Sequence, residues 1–164
     1  MLLSVPVFGQ LKTGAAPAVV DLKGDAGGRL NGTPWSSTEL TGKVYTLMYV
    51  DPDEKGLNEH VEQALKKENF PRDKYGSVAV INMGATWKPN FAIKMILDGK
   101  QKEFPNTIYV MDKDKALVKK WKAADDSYHV ITFDQTGKVI FEKSGKLSDD
   151  DVKRLIKAIR EQIG

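Results

Sequence analysis

Two stretches of this chain carry residue types that do chemistry. Asp51, Asp53 and Gly56, with Glu62 further on, occupy the first, third, sixth and twelfth positions of a calcium-binding loop, where carboxylate oxygens surround a hard cation. The pattern fails on its own terms. Lys55 puts a cation where the fifth position should supply oxygen, and Glu62 falls within a helical period that starts at Leu57 and turns it away from a closed loop. No helix leads into the loop, because Val44 to Val50 reads as a strand. Neither calcium nor any other metal or cofactor is expected. His60 and His129 are the only histidines, so a three-histidine zinc site cannot form within one chain. His60 fits an exposed helix position. His129, beside Tyr128 at the start of a predicted strand, is the better candidate for a functional role.

The chain has no cysteine, which excludes disulfides, zinc-thiolate sites and thiol nucleophiles together. It also lacks the Gly-x-Ser-x-Gly elbow, the phosphate-cradling lysine loop and the dinucleotide glycine fingerprint. No catalytic residue is expected. Trp87, in the loop Met83 to Asn90, is of a type that anchors protein partners. The simpler expectation is that Trp87 and Phe91 fold this loop back onto the domain. Any binding site is placed at Trp87, Tyr128, His129, Asp51 and Asp53. Trp35 and Trp121 are expected in the core or at its rim, and Tyr45, Tyr49 and Tyr109 in strand packing.

Positioning these residues requires one core, which 164 residues suffice to build. With 41% hydrophobic and 29% charged residues the composition is that of an ordinary globular domain. Its 25 basic and 22 acidic residues are interspersed, so no basic face for nucleic acid is expected. No apolar run approaches the ~20 residues that span a bilayer. Residues 1–14 read as an N-terminal extension and 15–164 as one domain. Met1 to Gln10 is apolar, lacks a positively charged start and is shorter than an ordinary signal peptide. It reads as a leader remnant or the start of a mature exported protein, with a cytosolic start as the alternative.

The elements follow from periodicity and turn residues. Val19 to Leu22 and the glycine-rich Lys23 to Gly32 predict an irregular N-terminal hairpin, and Ser36 and Ser37 predict a capped turn ending near Gly42. Val44 to Val50 (VYTLMYV) is apolar on both faces, as a central parallel strand is. Leu57, Val61, Ala64 and Leu65 mark a helix that Phe70-Pro71 ends, and Ser77 to Asn82 is the next strand. Pro89 opens a helix from Asn90 to about Leu97; Thr107 to Met111 and Ala116 to Lys122 follow as strand and helix. Tyr128 to Phe133 and Lys138 to Lys143, joined through Gly137, predict an antiparallel hairpin. Ser148 and Asp151 form a capping box for a last helix with Val152, Leu155, Ile156, Ile159 and Ile163 on its apolar face.

A βαβ unit followed by an antiparallel hairpin and a C-terminal helix is the plan of the thioredoxin fold. The segment FDQTGKVIFEKSGKLSDDDVKRLIKAI, from Phe133, resembles the corresponding part of thioredoxin-like proteins. Trp35 to Gly42, Lys43 to Tyr49 and Asn106 to Asp112 are similar to the YtfJ family of exported bacterial proteins of unknown function, and the resemblance covers most of residues 10–164. It implies an α/β, thioredoxin-like domain: a central mixed sheet flanked by helices, in a periplasmic protein. Asp51 to Gly56 stands where a catalytic thioredoxin carries Cys-x-x-Cys, and Ser127-Tyr128-His129 where it carries a proline. Thiol–disulfide and peroxiredoxin activities are therefore excluded. The expected function is a binding module for a protein partner; the alternative is an enzyme using Asp51, Asp53 or His129, with or without a metal.

Overall fold

The computed structural model describes residues 11–164. The segment read as a leader remnant, 1–10, lies outside them. The strands are β1 (Asp21–Leu22), β2 (Gly27–Arg29), β3 (Trp35–Ser36), β4 (Val44–Val50), β5 (Tyr75–Asn82), β6 (Thr107–Asp112), β7 (Tyr128–Phe133) and β8 (Val139–Ser144). The helices are α1 (Glu59–Glu68), α2 (Asn90–Glu103), α3 (Ala116–Trp121) and α4 (Asp149–Ile163). A six-stranded sheet runs β2-β6-β5-β4-β7-β8, and β1 pairs separately with β3. β4, β5 and β6 are parallel; β7, β8 and β2 join antiparallel. This is the expected mixed α/β sheet.

β4 is apolar throughout because it is covered twice. Val44, Met48 and Val50 pack with Val61 and Leu65 of α1, Ile93 and Leu97 of α2, and Leu155 and Ile159 of α4. Leu47 and Tyr49 face the opposite way, into a core made by Leu117 and Trp121 of α3 and by Val20, Leu22 and Trp35. Both expected core tryptophans are buried, at 2% and 0% exposure. Among the described residues no helix is long and apolar enough to cross a membrane.

The N-terminal hairpin is irregular because its middle strand leaves it. β1 and β3 pair with each other, while β2 crosses to the edge of the main sheet and pairs with β6. Only glycine fits this join: a Cβ on Gly27, at φ +133°, would lie 1.9 Å from the Met111 carbonyl oxygen. At the opposite edge, the Gly14 amide donates to Val139 O (2.8 Å) and the Val139 amide to Ala15 O (3.0 Å). Beyond that contact β8 presents exposed Glu142, Lys143 and Ser144.

Several boundaries differ from expectation, those of β6, α3 and β8 by one residue and those of α1, β5 and α2 by more. α1 begins at Glu59, two residues after Leu57, because Leu57 belongs to the preceding turn. β5 begins at Tyr75, since Gly76 lets the Tyr45 ring lie across the strand where a Cβ would come within 2.4 Å. α2 continues past Leu97 to Glu103, carried by Lys100 reaching Glu62 (3.0 Å) and by Gln101, whose amide donates to the carbonyls of Phe104 (3.2 Å) and Thr107 (3.0 Å).

α4 starts as expected. Ser148 accepts from the Asp151 amide (3.1 Å), and the Asp151 carboxylate accepts from the Ser148 amide (2.9 Å) and pairs with Arg154. The Ser148 amide first, then Arg154, hold the Asp151 carboxyl at about 2 against an ordinary 3.8. A lowered folded-state pKa stabilises above the unfolded value, and that contribution is lost as pH falls through the folded one. Wild type is thus expected to exceed Asp151→Asn in urea resistance at pH 5, with the gap closing between about pH 4 and pH 2. A gap that persists at pH 2 would contradict this assignment.

Candidate functional site

In open α/β sheets the crevice beyond the carboxyl ends of the parallel strands is the usual place for ligands. Here each of the three parallel strands gives way there to a polar residue: β4 to Asp51, β5 to Asn82 and β6 to Asp112.

Asp51 is 5% exposed and caps the helical turn Pro52–Glu54, accepting from the Asp53 amide at 2.9 Å. Its own amide donates to Ser127 O at 2.8 Å, tying the turn to the start of β7. Burial above all, then the charges of Asp53, Asp126 and Glu54, push its carboxyl up against the pull of the Asp53 amide. A raised carboxyl pKa means that ionisation costs more in the folded state, a penalty absent below the unfolded value of 3.8 and complete above the folded one. Asp51→Asn keeps the cap and removes the charge, so it is expected to stabilise at pH 7. In urea unfolding the gain should vanish by about pH 3.5; a destabilised variant at pH 7 would refute the reading.

Asp53 is exposed and forms an ion pair with Lys88. Lys88 first, then the Thr86 hydroxyl, hold its carboxyl below the ordinary range. The pair fastens the loop before α2 against the turn after β4. Between Thr86 and Lys88 stands Trp87, which does not fold back: it is 88% exposed, and Phe91 and Met95 are 70% and 71% exposed. Phe91 and Met95 lie one turn apart on α2 and Trp87 stands in the loop that enters it, an exposed apolar stripe, while the helix buries Ile93 and Leu97 on its other side. α2 has two apolar faces and the core covers one. The expected packing of Trp87 and Phe91 onto the domain is thereby corrected.

Asn82 is 1% exposed; its amide donates to Asp125 (2.8 Å), while its Oδ1 has no donor among the described residues. Asp125 also accepts from Lys115 (2.8 Å), which holds its carboxyl below the ordinary range. The Lys115 chain crosses Gly84 so closely that a Cβ there would lie 2.9 Å from its Cγ. Asp112, fully buried, accepts from the Tyr49 hydroxyl (2.9 Å) and from the amides of Ala116 (2.9 Å) and Leu117 (3.1 Å). Burial, then the Asp112 charge, keep the Tyr49 phenol protonated far above its ordinary range.

Tyr128 and His129 are not brought to this surface. Tyr128 is fully buried and donates to Glu62 (2.8 Å). His129 is buried on the opposite face: its Nδ1 accepts from the Ala124 amide (3.0 Å), so Nε2 carries the proton and donates to Glu142 (2.6 Å). His60 bonds Leu147 O at 2.8 Å. With Glu62 turned to Tyr128 and Lys100, and Asp53 to Lys88, the carboxylates of the calcium-loop pattern do not converge. What the crevice offers is an apolar stripe bordered by paired charges. Asn82, Lys115, Asp125 and Met95 were not legible as candidates, although a polar residue ending the SVAVIN run and a methionine four residues after Phe91 were signs of two of them.

Residues 20–162 match the family described as "Bacterial protein of unknown function (YtfJ_HI0045)". The chain belongs to the YtfJ family. An uncharacterized protein of Haemophilus influenzae is 32% identical over 130 residues, covering 77% of this chain and 70% of the relative. The uncharacterized protein YtfJ of Escherichia coli is 23% identical over 130 residues, covering 77% and 71%. Among solved structures, the thioredoxin domain of a thiol-disulfide oxidoreductase of Bacteroides vulgatus aligns with a TM-score of 0.63 at 18% identity, covering 90% of this chain and 97% of that one. The exposed lipoprotein thioredoxin of Streptococcus pneumoniae aligns at 0.63 and 15%, covering 85% and 98%. This YtfJ family member therefore has the thioredoxin-like fold, and without cysteine it cannot perform thiol–disulfide exchange.

Proposed function

We propose that the protein is a non-redox, thioredoxin-like interaction module, working in the periplasm, that binds an apolar segment of a protein partner through Trp87, Phe91 and Met95. The observation that carries this is the stripe itself: three large apolar side chains, each at least 70% exposed, Phe91 and Met95 one turn apart on α2 and Trp87 in the loop that enters it. Isolated surface hydrophobics need no explanation, but an exposed set led by tryptophan within one short segment is what an interface core is made of. Asp53 and Lys88, held beside Trp87, supply the polar rim. Asp51, Asp53, Asp112 and Asp125 are each engaged by hydrogen bonds, which favours a scaffold that presents a surface over one that moves protons. The resemblance to exported proteins supports the location.

The test is photo-crosslinking in the native organism, with the reactive group at Trp87 and a control at Lys153 on α4, alongside release of the protein by osmotic shock. A specific adduct from position 87 and none from 153 is the expected result. Equal labelling from both, or none from either, would sink the site; retention in the cytoplasmic fraction would sink the location.

A further inference from the structure

A second site lies at the other end of the sheet, where β4, β5 and β6 begin. A cleft of about 560 Å³ opens there between the C-terminal ends of α1 and α2. Ser77 and Ala79, small residues of β5 on the side facing α1 and α2, leave room for it, and Phe70 and Phe104 line it with them. Met48, Leu65 and Tyr109 complete an apolar floor. The volume falls within the roughly 300–1,000 Å³ typical of small-molecule sites.

The charges are arranged by depth. Inside, Glu62 accepts from the Tyr128 hydroxyl and from Lys100, so its carboxylate is already satisfied. At the mouth stand Lys43, Lys66 and Arg72. Lys66 donates to Glu103 O (3.1 Å) and lies 5.2 Å from the centre of the Phe104 ring, yet among the described residues none of the three has a carboxylate oxygen within 4 Å. An apolar interior beneath three cations without anionic partners has the complement of one ligand class.

We propose that this cleft binds a small anionic amphiphile: an aliphatic or aromatic body against Met48, Leu65 and Ala79, with a carboxylate held at the mouth by Lys43 and Arg72. Guanidinium and ammonium donors bind carboxylates by charge-assisted hydrogen bonds, and the apolar floor rewards a body without polar atoms. The site is separate from the α2 stripe and does not depend on the interaction reading.

The test is a ¹⁵N NMR titration of the whole protein with sodium decanoate below its micellar concentration. Saturable shifts are expected at Leu65, Ser77 and Phe104 rather than at Trp87 to Met95. In the same wild-type protein, 1-decanol should bind at least tenfold more weakly and decyltrimethylammonium not at all, a comparison that needs no variant. Lys43→Gln with Arg72→Gln should weaken decanoate about tenfold or more, the worth of one charged hydrogen bond, with an unchanged melting temperature; Lys153→Gln should change nothing. Absence of saturable shifts, shifts centred on Trp87 to Met95, or equal affinity for decanoate and decanol would overturn the proposal.

Discussion

Asp112→Ala is expected to lower the free energy of unfolding by about 3–5 kcal/mol, from the loss of a helix cap plus the cost of unsatisfied buried groups. One carboxylate, fully buried, serves three donors: the Tyr49 hydroxyl and the Leu117 amide, both buried, and the half-buried amide of Ala116 at the start of α3. Removing it strands all three. Asp112→Asn retains one acceptor oxygen and is expected to lose about half as much, while Tyr49→Phe removes a single bond worth about 1 kcal/mol. The two positions are coupled, so Tyr49→Phe should cost almost nothing once Asp112 is alanine. Urea unfolding of wild type, the three single variants and the double variant, with equal slopes, measures this. A loss below about 1 kcal/mol for Asp112→Ala would mean that water replaces the carboxylate and that the end of β6 is open.

Phe91→Asp combined with Met95→Asp is expected to reduce partner capture from position 87 by a hundredfold or more. Interface hot spots contribute about 2–4 kcal/mol each, and every 1.4 kcal/mol is tenfold in affinity. Because both side chains are at least 70% exposed, the same changes should leave the melting temperature within a few degrees. This separation distinguishes a docking surface from a packing one. If capture is undiminished while the protein stays folded, the stripe is not the interface; if the variant unfolds, the stripe belongs to the core.

The fold was legible because its signals are local and redundant. VYTLMYV reads as a strand covered on both faces, Ser148 and Asp151 as a cap, and Gly137 as a hairpin turn, each without knowledge of distant residues. The departure of β2 was not legible, since a three-residue strand of two glycines and an arginine carries no periodicity and its pairing with β6 is a long-range choice. The site was harder still. Asp51 and Asp53 stood out, but Lys88, Lys115 and Asp125 acquire meaning only through partners in other segments. Trp87 was noticed and its surroundings misjudged, because Phe91 lies in the first turn of a helix whose buried face is read from Ile93 and Leu97. Tyr128 and His129, adjacent in sequence, point to opposite sides of the sheet, as alternation along a strand requires.

The two edges of the main sheet constrain how this protein can meet others. One edge ends in β2, three residues long and folded back by the turn in which the Arg29 amide donates to Thr33 O. The other is occupied at Val139 by residues 13–15 and beyond it carries Glu142 and Lys143. Short, turned or charged edges do not template a further strand. Growth of the sheet by a neighbour's backbone, whether in a swapped dimer, a fibril or a peptide laid alongside, is thereby discouraged. A partner has to be read through side chains, and its selectivity then rests on shape and apolar match, which point mutations can tune without disturbing the sheet.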